Sequence, residues 1–176
     1  FQPAGWYTVN GSWTLNNKSA VVSSGLAADA SIYYQTKKVS TGTYTATLQR
    51  TGSATAANYI YFRGQPAPAA SSGAWFSGYY FAYANTGRFT IWQASKSQWQ
   101  QLLDWTNSAA IQKNQWNTLQ IAASTSALTF AINDQVVATL AQPSLKTGYL
   151  GLGMSGASGN LTAQAYSLAR RRTLTA

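Results

Sequence analysis

Three aspartates, Asp29, Asp104 and Asp134, are the only carboxylates in a chain of 176 residues that has no Glu, no His and no Cys. These absences restrict the chemistry more sharply than any motif present. Without imidazole there is no Ser-His-Asp triad, no histidine general base and no histidine metal ligand. Without thiols or Glu the common zinc sets cannot be assembled. Hydrolysis of a glycoside by the usual route needs two carboxyl groups facing each other across the sugar. Asp29 lies in a loop and Asp134 in a turn, where both read as turn formers, and only Asp104 (LDWT) lies inside a strand-like run. A polysaccharide lyase working through Tyr, Lys or Arg, or a Ser–Lys pair, needs no carboxylate pair, but no motif marks either. The reading is therefore a non-enzyme, with no catalytic residue assigned. A cofactor is not expected. Three dispersed Asp do not make a tight Ca²⁺ site, and only a weak one built on backbone carbonyls and Asn160 stays open.

What the chain has in quantity is aromatic rings beside polar neighbours: seven Trp, eleven Tyr and six Phe. Tyr and Trp faces stack on sugar rings or bases, and Arg, Asn and Gln hydrogen-bond hydroxyls. Alternation along YIYFR puts Tyr59, Tyr61 and Arg63 on one side of a strand, opposite Ile60 and Phe62. Arg88 and Trp92 share a side of RFTIWQ, and Tyr80 lies on the strand between. Trp75, with Phe76, leaves the long Pro/Ala/Ser-rich loop Gly64–Gly73 and would close one side of this platform. The candidate ligand-binding set is thus Tyr59, Tyr61, Arg63, Trp75, Tyr80, Arg88 and Trp92. Core packing competes for each ring, because a sandwich must bury many large side chains. Trp6, Trp13, Trp105 and Trp116 read as core or edge residues.

These candidates need strands to hold them, and the pattern supplies strands. Leu128, Phe130 and Ile132 alternate with polar or small residues, and Asn133-Asp134 marks a two-residue hairpin of the primed type. Asn117–Ala123 and Gln135–Leu140 flank that strand. Tyr44, Ala46 and Leu48 alternate with Thr43, Thr45 and Thr47, a half-buried strand with an outward Thr ladder. Asn85-Thr86-Gly87 joins Tyr79–Ala84 to Arg88–Gln93 as a three-residue hairpin. Ala30–Val39, Gln98–Trp105, Gly148–Met154 and Leu161–Leu168 are further strands, and Asn10-Gly11 breaks the opening run Trp6–Leu15. No helix of three turns is indicated. The whole reads as an all-β, two-sheet antiparallel β-sandwich, one domain over residues 1–176 with a basic tail at 170–176.

The net charge is +9, from twelve Lys and Arg against the three Asp. Such a balance favours anionic partners, but the bases are scattered and the one cluster, Arg170-Arg171-Arg172, reads as a solvated tail. No run of Lys or Arg accompanies the aromatic strands beyond Arg63 and Arg88, so nucleic acid is not indicated. Only 9% of residues are charged, and polarity rests on Ser, Thr, Asn and Gln, a composition common in secreted proteins that face carbohydrate. No window is long and apolar enough to span a membrane. The chain opens at Phe1, which suggests a mature or trimmed product.

The segments LDWTNSAAIQKNQWNTLQI, LTFAINDQVVATL and TGYLGLGMSG carry a family resemblance. Trp105, Ser108, Ile111, Trp116-Asn117, Leu119, Asn133 and Gly148-x-Leu150-Gly151-Leu152, with Trp6 and Gly11-Ser12-Trp13 at the start, resemble bacterial concanavalin A-like sandwich domains. These are the laminin G-like and glucanase-like jelly rolls, including the domains related to 3-keto-glycoside hydrolases. The resemblance implies two stacked antiparallel sheets and a role in glycan binding or cell-surface interaction. Asp134 stands where that family often has Gly, and Ala163-Gln164-Ala165 where it often has acids. The reading that follows is a non-catalytic, lectin-like domain of a secreted or cell-surface bacterial protein. Its partner would be a glycan or anionic polysaccharide. The alternative is a structural or adhesion module with a protein partner in an extracellular assembly.

Overall fold

The clearest link from sequence to layer is the strand Gly42–Gly52, whose side chains alternate between buried and half-buried for nine residues. Tyr44, Ala46, Leu48 and Arg50 point into the molecule, and the Thr residues between them point outward. The computed structural model describes residues 4–17, 19–23, 29–66, 75–155 and 159–169. In chain order the strands are β1 (Trp6–Asn10), β2 (Trp13–Leu15), β3 (Ala20–Ser23), β4 (Ala30–Val39), β5 (Gly42–Gly52), β6 (Asn58–Pro66) and β7 (Trp75–Ala84). They continue with β8 (Arg88–Ser95), β9 (Gln98–Asn107), β10 (Asn117–Ala123), β11 (Ala127–Ile132), β12 (Gln135–Ala141), β13 (Gly148–Met154) and β14 (Gly159–Ala169). The described residues contain no helix that could cross a membrane.

Two seven-stranded sheets face each other. The first runs β1-β4-β13-β6-β7-β8-β9 and the second β12-β11-β10-β5-β14-β3-β2, with every pairing antiparallel. The protein is an all-β, two-sheet sandwich of the jelly-roll, concanavalin A-like kind. The strands β6 to β9 and β10 to β12 are meanders, which local turns can build. The last two strands are different. β13 inserts between β4 and β6, and β14 between β5 and β3, so neither sheet is continuous until the end of the chain arrives. Ile60, Phe62, Phe81, Phe89 and Ile91 of the first sheet meet Leu48, Leu119, Ile121 and Phe130 of the second in a shared core.

Buried phenols tie this core to the main chain. The Tyr44 hydroxyl donates to the Gly151 carbonyl (3.2 Å), from the second sheet to the first, and Tyr83 donates back to the Leu48 carbonyl (3.2 Å). On the outer side of the first sheet, Tyr59 donates to the Met154 carbonyl (3.1 Å). Each bond satisfies a hydroxyl that would otherwise be costly to bury.

Turn chemistry follows the sequence closely. Asn133 and Asp134 both take positive φ, at 48° and 65°, as a type I′ hairpin requires. Asn133 Oδ1 accepts from Thr118 N–H (2.8 Å), and its amide donates to the Ala110 carbonyl (2.8 Å) and to Asn117 Oδ1 (2.9 Å). Asn117 is itself fully buried and bonded to Gln112 and Gln115. Asn117 and Asn133, both residues of the resemblance, therefore form one hydrogen-bonded corner.

Arg63 departs from the expected alternation. Its φ is 52°, and the register of β6 against β7 shifts between Phe62 and Gln65. This irregularity turns the side chain away from the face of Tyr59 and Tyr61. The guanidinium lies over the Phe62 ring, 5.2 Å from its centroid, and Arg63 is only 2% exposed. It donates from Nε and Nη2 to the Ser40 carbonyl, from Nη1 to Leu145 O (2.7 Å) and from Nη2 to Ser124 O (3.1 Å). One side chain thus gathers the β4–β5 turn, the β10–β11 turn and the approach to β13. Burial pulls its pKa down, yet a guanidinium stays protonated in proteins. Arg63 is a staple between the sheets, and as a correction to the sequence reading it leaves the ligand-binding set.

Two outcomes follow for stability. Arg63→Met should cost about 2–3 kcal/mol, because three part-buried carbonyls lose their charged donor; urea unfolding measures this, and Arg63→Lys should recover less than half. Burial also raises the pKa of the Tyr59 and Tyr83 phenols above the usual 10.0. A raised folded pKa adds stability that is fully present below the unfolded value and is lost as pH climbs above it. Stability should therefore be insensitive to these groups up to about pH 10 and fall beyond it. Tyrosinate absorbance from the buried set should appear together with unfolding, not before it.

Candidate functional site

In β13 the apolar side chains Leu150, Leu152 and Met154 face the core, so Gly151 and Gly153 face out. A Cβ on Gly151 would lie 2.6 Å from the Trp75 ring, and one on Gly64 of β6 would lie 2.2 Å from it. The two glycines form a seat into which the Trp75 indole settles, 1% exposed. Its Nε1–H donates to Ser31 Oγ (3.1 Å). Tyr61 then stacks on the indole at 3.9 Å between centroids, 19° from parallel. Gly153 does the same for Tyr59, whose ring a Cβ there would meet at 2.6 Å. The Leu150-Gly151-Leu152-Gly153 run thus encodes two faces: leucines for the core, and glycines for an outer layer of rings.

That outer layer runs in register across the first sheet. Tyr7 pairs with Tyr33, Tyr33 with Gly151, Gly151 with Tyr61, Tyr61 with Tyr80, Tyr80 with Trp92, and Trp92 with Gln101. The β8–β9 hairpin, with Lys96 and Ser97 both at positive φ, brings Trp99 opposite Ala94. Its ring sits 5.8 Å from that of Tyr80 and 6.3 Å from that of Tyr61. Trp105 reaches the same face through bulges in β9. Three steps of β9, Leu103 to Thr106, span two of β8, and two steps, Gln101 to Leu103, span one.

The result is a cleft of about 380 Å³ lined by Tyr61, Tyr80, Trp92, Trp99 and Trp105, with Ala57, Thr55, Ser155 and Asp29 along the other side. The size lies in the range of roughly 300–1,000 Å³ usual for small-ligand sites. Tyr61 is the floor, 3% exposed, and Trp99 the most open of the five rings at 42%. Burial, and then the Asp29 carboxylate, push the Tyr61 phenol well above its ordinary pKa. Burial is also the main cause for Tyr80, with Tyr61 and Asp29 adding to it. Both phenols are therefore neutral donor–acceptors at physiological pH.

Of the seven residues selected from the sequence, three line this cleft: Tyr61, Tyr80 and Trp92. Tyr59 lies on the same face but is fully buried, its ring 4.3 Å from that of Tyr80, so it supports the floor from below. Trp75 does not close a side of the platform. It opens β7 and lies under Tyr61, because the two glycines let it sink into the sheet. Arg88 is exposed and donates through Nη2 to the Trp105 carbonyl, which steadies the β8–β9 pair at the margin of the cleft. Arg63 is on the other side of the sheet. Most of the Gly64–Gly73 loop and the Arg170–Arg172 run lie outside the described residues.

Six lining residues lie outside the set taken from the sequence: Asp29, which reads as a turn former, Trp105, which reads as a core or edge residue, and Thr55, Ala57, Trp99 and Ser155, which the pattern does not single out. The doubled Leu102-Leu103, both packed against the core, is the signal that strict alternation fails in β9 and that Trp105 changes side. For Asp29 no local signal existed.

The other acids lie elsewhere. Asp104 Oδ1 accepts from Trp105 N–H (2.6 Å) and Gln101 Nε2 (3.1 Å), and Asp134 is in the β11–β12 turn. Asn160 pairs with Ser23 and Thr51 in the second sheet. Among the described residues no three of His, Cys, Asp and Glu come together as a metal site would need.

Solved structures share this architecture. The carbohydrate-binding module CBM66 from Bacillus subtilis superposes with a TM-score of 0.76 at 18% identity, over 94% of this chain and 96% of that one. A Bacillus licheniformis beta-glucanase gives 0.69 at 9% identity, over 98% and 95%. Sheep galectin-11, in complex with glycerol, gives 0.54 at 11% identity, over 88% and 99%. At these identities the likeness is one of fold. No curated protein sequence matches the chain. A family model matches residues 2–164, nearly the whole described sandwich, and by that match the chain belongs to the 3-keto-alpha-glucoside-1,2-lyase-like domain family.

Proposed function

We propose that this domain binds glycan without transforming it, and that the outer face of the first sheet is the binding surface. The observation that carries this reading is the cleft itself: five aromatic rings on four adjacent strands, packed on a buried Trp75–Tyr61 stack and bordered by hydroxyls and one carboxylate. Ring faces of this kind accept the apolar C–H face of a pyranose. The phenols, the indole N–H groups, Thr55 and Ser155 offer hydrogen bonds to the hydroxyls at its edge. The floor is rigid because it is buried, so little conformational entropy is lost on binding. The resemblance in fold to a carbohydrate-binding module supports the reading.

The family name and the fold shared with a glucanase raise the alternative of a glycan-active enzyme. Against it stands the chemistry of the cleft. One carboxylate lines it, where a hydrolase of the usual kind needs two, and the phenols beside it hold their protons too tightly to act as bases near neutral pH. A location outside the cell, where polysaccharides are met, fits this role.

Retention of the purified domain on glycan-containing gels is the first test. Trp99→Ala and Trp92→Ala should each weaken retention about tenfold or more, the loss of one stacking ring, without moving the unfolding midpoint by more than the small amount typical of partly exposed sites. Retention unchanged in both would remove the cleft from consideration, and glycan turnover by wild type that is lost in Asp29→Asn would establish the enzyme instead. Gly151→Ala acts from below. The new methyl forces Trp75 off its seat, so the domain should lose about 1–3 kcal/mol of stability and bind more weakly as Tyr61 loses its support; calorimetry with and without glycan separates the two effects.

A further inference from the structure

The rings of the outer face do not stop at the cleft. Beyond the Trp75–Tyr61 stack lies a second cluster, made by Tyr7 of β1, Tyr33 of β4 and Tyr149 of β13. Their chain neighbours Trp6, Ile32 and Leu150 enter the core, so strand alternation turns these three outward. Tyr33 stands between the other two, its ring 6.0 Å from that of Tyr7 and 5.5 Å from that of Tyr149. It meets the Trp75 ring edge-on at 6.3 Å and packs with Tyr61, Tyr80 and Trp105 in one outer apolar layer. Burial, and then the neighbouring phenols of Tyr149 and Tyr7, raise its pKa. A bulge completes the cluster: four residues of β4, 35 to 38, lie opposite Tyr149 alone, and the Lys38 ammonium rests over the Tyr149 ring, 5.3 Å from its centroid. Tyr7 is 52% exposed, and Lys38 is exposed as well.

Register puts this cluster and the cleft on one line. Tyr7, Tyr33, Gly151, Tyr61, Tyr80 and Trp92 follow one another across β1, β4, β13, β6, β7 and β8. That is five strand steps of about 4.8 Å each, or about 24 Å from Tyr7 to Trp92. The Trp75–Tyr61 stack is the shared base, with the cleft to one side of it and the Tyr33 cluster to the other. A disaccharide in the cleft is too short to touch both, and a hexasaccharide laid across the strands reaches. From this arrangement we propose that Tyr7, Tyr33, Tyr149 and Lys38 form a second glycan-contact site, and that the ligand of this face is a chain held at both ends of the row. The rings meet the C–H faces of the sugars, and the phenols and the Lys38 ammonium hydrogen-bond their oxygens. A chain already held in the cleft presents its far end to the second site at high effective concentration, so even a weak contact there raises affinity. The inference rests on the glycan-binding reading and adds the length of the ligand to it.

Isothermal titration of the whole chain with disaccharides and hexasaccharides of glucose and of N-acetylglucosamine tests this. A longer oligomer also offers one cleft more sugars to choose from, so the decisive comparison is between proteins rather than between lengths. In the double variant Tyr7→Ala, Tyr149→Ala the hexasaccharide that wild type binds should lose about tenfold in affinity, the second contact being gone. The disaccharide should bind the variant and wild type alike, to within about twofold, since neither residue lines the cleft. Equal hexasaccharide affinity in the two proteins would overturn the inference, and so would an equal loss at both lengths, which marks a structural role for the rings; either result leaves glycan binding in the cleft standing. Binding of neither series at any length would overturn both readings. Should the double variant fail to fold, Tyr7→Ala alone, at an exposed position, decides by the same comparison, with an expected loss of about threefold confined to the hexasaccharide.

Discussion

The Trp75 indole, pressed into the sheet over Gly64 and Gly151, is the constraint on which the outer face depends. An indole can lie flat on a β-sheet only where the strands beneath it lack side chains, and β6 and β13 each supply a glycine at that point. With the indole seated and its N–H bonded to Ser31, Tyr61 has a plane to stack on. Tyr80 then packs edge-on against Tyr61, and Trp99 packs edge-on against Tyr80 and tilted to Tyr61. The cleft is the space left above this stack once the other indoles are in place. Its support comes from packed layers rather than from hydrogen-bonded loops, which suits the proposed binding role, because a preorganised face loses little freedom.

A second constraint holds the sheets in register with each other. Arg63 joins two turns and the approach to β13 through main-chain carbonyls, and Arg50 holds the Ala57 and Ser155 carbonyls at the cleft rim. Both arginines donate to main-chain carbonyls, which spreads each charge over several peptide dipoles. This explains how an acid-poor sandwich tolerates buried cations. It also explains why the positive charge of the chain says little about its binding surface: part of that charge is spent inside.

Much of this was legible in the sequence, and the rest failed for identifiable reasons. Period-two runs such as Tyr44–Leu48 and Leu128–Ile132, and the Asn133-Asp134 turn, gave the two-sheet sandwich directly. Tyr61, Tyr80 and Trp92 come to one face, as expected, because alternation holds in the stretch around each of them. Arg63 was misplaced because a positive-φ irregularity follows Phe62, and no residue in YIYFRG announces it. Trp105 was misjudged because bulges in β9 change its side, though Leu102-Leu103 hinted at them. Trp75 was expected at the surface, and only the pairing of β13 with β6 shows that two glycines distant in sequence lie beneath it. Asp29 joins the cleft through tertiary packing alone. Strand alternation is local information; which strands become neighbours is not, and a recognition face spread over adjacent strands needs both.

The central claim is that ligand meets the chain on the outer face of the first sheet. The seven Trp permit a direct test, because their indole N–H signals can be followed individually by NMR while a glucose or N-acetylglucosamine oligomer is titrated. The account predicts that Trp92, Trp99 and Trp105 shift together, that Trp75 shifts weakly from beneath, and that Trp6, Trp13 and Trp116 stay still. Shifts confined to Trp13 or Trp116, or saturable binding that moves none of the three cleft indoles, would contradict it.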